Sequence, residues 1–139
     1  MEKPSKHKPV KRLGVSGCLG IVVALAILTA IGIFCAFPHP THEQTRLQAV
    51  AAESARLMAM HPIGPAGPSV RIPRGEWPPA IAGLKPRSVT VRRGMVDITT
   101  KEFFDGGWGY GFAPHKRDLT MLVECWSELG HDVFWHGPC

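Results

Sequence analysis

Hydrophobic and polar positions change their pattern three times along the chain. From Leu13 to Phe37 no charged residue interrupts a run of Leu, Ile, Val, Ala and Gly, which exceeds the roughly 20 residues a helix needs to cross hydrocarbon. From Thr41 to Met60, Leu47, Val50, Ser54, Leu57 and Met58 recur at helical intervals through an alanine-rich segment. That spacing predicts an amphipathic helix over 41–60, opened by Thr41 and Gln44 at capping-box separation and closed before Pro62. One and a half heptads are too few to hold a coiled coil, so a stalk or a helix packed on the following domain is expected. Beyond Lys85 the period drops to two. Val89 and Val91, then Val96 and Ile98, alternate with polar neighbours around Arg93-Gly94, predicting a hairpin of 87–93 and 95–100.

Two more strands are expected. Gly106 to Phe112 sets Trp108, Tyr110 and Phe112 on one face with glycines opposite, and Asp132 to His136 alternates Val133 and Trp135 against Phe134. Residues 61–79 are rich in Pro and Gly and read as an extended linker, followed by one helical turn from Pro79 to Leu84. The stretch 118–129 fits two patterns. Leu119, Leu122, Val123, Trp126 and Leu129 follow a helical spacing, with Asp118 to cap and Gly130 to terminate, whereas Met121, Val123 and Cys125 alternate as a strand. The helix is the preferred reading. The resulting expectation is an α+β fold: one N-terminal transmembrane helix, then a small outer domain over 80–139 with an antiparallel sheet of about four strands and one or two helices.

Charge changes the picture by its location. The formal net charge is +5, but Lys3, Lys6, Lys8, Lys11 and Arg12 face only Glu2 before the apolar run, which leaves the rest of the chain close to neutral. A near-neutral outer domain argues against nucleic acid as a partner. The same five cations orient the span by the positive-inside rule: a cytoplasmic tail over 1–12, a membrane helix over 13–37, and the C-terminal domain outside the inner (plasma) membrane. A cleaved signal peptide is disfavoured, because its apolar region is shorter and Gly32-Ile33-Phe34-Cys35-Ala36-Phe37 is bulky where a peptidase needs small residues. Val15-Ser16-Gly17-Cys18 has the form of a lipoprotein cleavage box, yet only Leu13 and Gly14 separate it from the charges. Within the span Ser16, Gly20, Ala24, Gly32 and Ala36 form a stripe of small residues through which two helices could pack.

Trp77-Pro78-Pro79-Ala80-Ile81, Leu84-Lys85-Pro86-Arg87-Ser88-Val89-Thr90-Val91 and the closing Val133-Phe134-Trp135 resemble the pattern of small bacterial proteins with a membrane-anchored C-terminal module and no assigned activity. The resemblance covers roughly residues 76–136. It implies a bacterial envelope setting and no chemistry.

Candidate chemistry is sparse. Cys125 and Cys139 lie outside the span, where oxidising conditions permit a disulfide, with two free thiols as the alternative. His115, His131, His136 and Cys139 match no compact zinc spacing, so no metal and no cofactor are expected. There is no Gly-x-Ser-x-Gly elbow, phosphate loop or dinucleotide fingerprint, and no catalytic residue is assigned. Glu102 with Asp105 and Glu124 with Glu128 read as solvated charges. The aromatic and glycine-rich stretch from Phe103 to Phe112 either builds the core or exposes rings for stacking. The leading expectation is a non-enzymatic interaction module that binds the bilayer through its helix and an envelope protein, or itself, through its domain. The alternative is a carbohydrate or peptidoglycan binder that stacks ligand on Trp108, Tyr110 and Trp135.

Overall fold

The computed structural model describes residues 15–104 and 106–139, so the basic tail 1–12 lies outside it. The chain divides into two compact units, one ending at Phe37 and one running from Pro38 to Cys139. The first contains helix α1, Val15–Ala36. Its side chains are described from 20 to 33 and at Ala36, and Ile21, Leu25, Leu28 and Ile31 are all exposed. Among the described residues no helix is long and apolar enough to cross a membrane. The described residues thus lend no support to the membrane-spanning helix expected over 13–37, part of which lies outside them.

The second unit is α+β, and it is larger than the 80–139 expected. Its sheet has six antiparallel strands in the order β1-β2-β3-β4-β6-β5, rather than about four: β1 Val70–Arg71, β2 Ser88–Arg92, β3 Met95–Phe103, β4 Gly106–Phe112, β5 Trp126–Gly130 and β6 Val133–His136. The β2–β3 hairpin turns at Arg93-Gly94, with Arg92 opposite Met95. Gly94 takes φ +73°, and a Cβ there would strike the Asp118 carboxylate at 2.7 Å, so the turn demands glycine twice over.

Helix α2, Gln44–Met60, packs on one face of the sheet. Its apolar stripe buries Leu47, Val50 and Leu57 against Val89, Val91, Val96, Ile98, Tyr110, Phe112, Val133 and Trp135. The period-2 strands and the period-3.6 helix thus meet on their apolar sides. The capping box does not form: Glu43 is the N-cap without a side-chain bond, and the Gln44 amide instead donates to the Leu129 carbonyl at 3.2 Å. That bond anchors the start of α2 to β5. A short helix α3, Pro79–Gly83, is clamped at both ends by α2. The Ile81 N–H donates to the Glu53 carboxylate at 3.0 Å, and the Arg46 guanidinium donates to the Gly83 carbonyl.

The expected linker 61–79 is built into this unit. Val70 and Arg71 pair with Val91 and Thr90 of β2, Ile72 is buried, and the Trp77 indole N–H donates to the Ile72 carbonyl at 2.9 Å. Proline and glycine here shape a compact edge rather than a spacer. The helix preferred over 118–129 is likewise absent. Lys116–Asp118 and Val123–Cys125 are single 3-10 turns and Trp126–Gly130 is strand β5. His131 and Asp132 both adopt positive φ, 54° and 59°, which is the backbone of a two-residue hairpin turn. Once that turn forms, 126–130 must return along β6, and only Leu119 and Trp126 of the supposed helical stripe are buried, in a second cluster with Met95, Ala113 and Phe134 on the opposite face. Leu122 and Val123 are exposed.

Candidate functional site

The strand pleat divides the aromatic stretch between the two faces of the sheet. Tyr110 and Trp135 are register partners on the α2 side, buried with their rings edge to face at 4.8 Å. The Tyr110 hydroxyl accepts a hydrogen bond from the Thr41 N–H at 2.9 Å. Burial raises the Tyr110 pKa above its usual 10.0, against the opposing pull of the Thr41 N–H and the Arg46 charge. Trp108 is half-buried against the same core, with the Lys101 ammonium 5.3 Å from its ring centre. Stacking of ligand on Trp108, Tyr110 and Trp135 is therefore corrected: two of the three rings are core, and helix α2 occupies the space a ligand would need.

The glycines opposite serve the other face. Gly111 lies under the Trp126 ring, where a Cβ would meet it at 2.7 Å. Gly109 lies under His136, whose Nε2 would be 3.0 Å from an added Cβ. The bare backbone of β4 thus lets Trp126 and His136 settle onto the sheet, edge to face with each other at 4.5 Å.

Beside this pair lies a depression of about 340 Å³, lined by Arg92, Asp97, Thr99, Thr120, Phe104 and His136 among others. Arg92 and Asp97 sit diagonally across the β2–β3 hairpin, with Arg92 Nε 3.5 Å from Asp97 Oδ2. The pair is a charge contact without hydrogen-bond geometry, since Arg92 Nε has no hydrogen-bond partner. Asp97 is only 19% exposed and His136 only 7%. Burial lowers the His136 pKa below 6.5, outweighing the Gly137 carbonyl, Asp97 and the Gly107 backbone, which favour the charged form. The imidazole is accordingly neutral at pH 7. The indole N–H of Trp126 is buried without a partner. The sequence matches no family model, and neither a curated protein nor a solved structure is similar to it. The geometry of the chain itself is what speaks for its function.

The remaining expectations distribute as follows. Cys125 and Cys139 form a disulfide, with Cα atoms 5.8 Å apart. Among the described residues no group of three His, Cys, Asp or Glu side chains is placed to hold a metal. The side chain of Ser16 lies outside the described set, and a Cβ on Gly20 or Gly32 would meet nothing within 4 Å. Asp105 is also outside the described residues. Sequence reasoning passed over Arg92, Asp97 and Thr99, although the hairpin register was legible. Reading the polar side of that hairpin, and not only its valines, brings Arg92 and Asp97 together.

The burial of His136 sets an acid dependence. Its folded pKa lies below the unfolded value, so the unfolded chain takes up the proton first. Stability is whole above the unfolded pKa and is lost as pH falls through 6.5 toward the lower folded value. Thermal melts should show a lower midpoint at about pH 5 than at about pH 7.5, with the slope reduced in His136→Gln. Equal slopes in both proteins would place the acid sensitivity elsewhere.

Proposed function

We propose that the chain is a single-pass, membrane-tethered protein of a bacterial envelope, with residues 38–139 as a non-enzymatic binding module outside the inner membrane. The observation that carries the reading is the first unit. The run from Leu13 to Phe37 has no charge, α1 extends from Val15 to Ala36, and its described large apolar side chains are exposed. A helix apolar on all sides needs a nonaqueous surrounding. The reading joins this helix to the uncharged sequence on either flank and to the five cations that precede it. In support of a binding role, the second unit has its own core and a polar depression on the face of its sheet away from α2. Its partner is an envelope protein or a second copy of the chain.

Alkaline carbonate washing of bacterial membranes tests the tether. The full chain should stay in the pellet, and protease added outside the inner membrane should remove the domain while sparing the tail. Release into the supernatant would overturn the tether. In-cell cross-linking through residues 38–139 tests the partner, and recovery of uncross-linked monomer alone would count against it.

A further inference from the structure

The face of the sheet away from α2 carries, beside its second apolar cluster, a set of partly sunken polar groups. An ordinary water-facing sheet surface keeps its charges in solvent. Here His136 settles over the bare backbone of Gly109, and beside it Asp97, 19% exposed, faces the half-exposed Arg92. Sinking ionisable groups is unfavourable unless something meets their hydrogen-bonding needs. At the rim, Phe104 is 96% exposed, carried on the tight connection between the register partners Phe103 and Gly106.

We propose that this depression is a carbohydrate site, taking one or two sugar rings of a neutral glycan. Three features select that class. The formal charges cancel, Arg92 against Asp97, so a strongly anionic or cationic ligand gains little. Donors and acceptors are mixed: the guanidinium, the carboxylate and the Thr99 and Thr120 hydroxyls can each meet a hydroxyl group, which both gives and accepts hydrogen bonds. The exposed Phe104 ring offers an apolar surface to the C–H face of a sugar. The volume of about 340 Å³ lies at the small end of ligand pockets and excludes a large one.

Two other depressions lack this combination. One is lined by Arg71, Arg74, Arg87 and Trp77, but its three arginines are all exposed to water and none is held in a desolvated place. The other, beside the disulfide, is lined by Leu122, Val123, Lys116 and Arg117, and nothing in the structure shows what covers it. Only the face holding Asp97 and His136 combines sunken polar groups with an exposed ring. The site goes beyond the tethered-module reading and does not depend on it.

The test is a titration of the full chain, in a detergent without sugar headgroups, with chitotetraose and cellotetraose as probes. The indole N–H resonances of the four tryptophans are the readout. Saturable shifts centred on Trp126, weakened about tenfold or more in Asp97→Asn and in Phe104→Ala, are the expected result. Arg74→Ala, in the other depression, should bind as the parent does. Phe104 is on the surface, so its replacement leaves folding intact. No saturable shift up to about 10 mM of either probe, or equal binding by both variants, overturns the proposal. The membrane-pellet assay reports on the tether separately, so failure of one leaves the other standing.

Discussion

A fragment that begins at residue 61 will fail to fold, whereas one that begins at residue 38 will melt cooperatively. Helix α2 supplies Leu47, Val50 and Leu57, all buried, to the principal core, with Ala51 and Met58 packed at its margin. Burying each large aliphatic side chain contributes roughly 2 kcal/mol. Deleting the helix removes on the order of 6 kcal/mol from these three alone, comparable to the entire stability of a domain this size. It also bares the apolar side of five strands and strips α3 of both its clamps, Glu53 and Arg46. Circular dichroism and dispersion of amide resonances decide the matter. A dispersed, cooperatively melting 61–139 fragment would show that the sheet stands without its helix.

The second large effect concerns the C-terminus. The disulfide between Cys125 and Cys139 closes a loop of sequence separation 14 that contains the whole β5–β6 hairpin. By loop entropy it is worth about 3 kcal/mol. Because β6 lies between β4 and β5, loosening it disturbs the second cluster, where Phe134 and Trp126 meet Met95. Cys125→Ser, or reduction of the native chain, should lower the melting midpoint by roughly 15 °C. Identical midpoints with and without reductant would mean that the strands hold the loop closed unaided.

The sequence disclosed this fold wherever a period ran for several turns or pleats. Leu47, Val50, Ser54 and Leu57 all lie on the buried stripe of α2, and β4 has the bounds its alternation predicts. Legibility failed where a long-range partner overrode the local pattern. Residues 119–129 carry a helical spacing, but a hairpin turn at His131-Asp132 and a disulfide at Cys125 place the stretch against β6. Val70 and Arg71 become a strand only because the outer edge of β2 is available to them. Pro and Gly around them looked like a spacer for want of that knowledge.

The candidate site was harder to read for a related reason. The aromatic and glycine pattern points to Trp108, Tyr110 and Trp135, with the glycines between them as a means of exposing rings. The pleat sends those rings into the core and turns the glycines toward Trp126 and His136, residues 15 and 25 positions beyond Gly111 in the chain. No local pattern announces that the empty positions on one strand are filled by side chains from two others. Arg92 and Asp97 were closer to hand, since a two-residue turn fixes their diagonal relation.

The hydrogen bond from Thr41 to Tyr110 has a mechanical consequence. Thr41 lies four positions after Phe37, where the first unit ends, and Tyr110 belongs to β4, an interior strand of the sheet. Tension applied along the N-terminal segment would enter the domain at two places, beside the middle of the sheet through Tyr110 and at its β5 edge through the Gln44–Leu129 bond. Strands loaded from within share force over several ladders at once, while an edge strand can be peeled one bond at a time. An entry point tied to an interior strand and to an edge strand spreads load over more ladders than an edge contact alone.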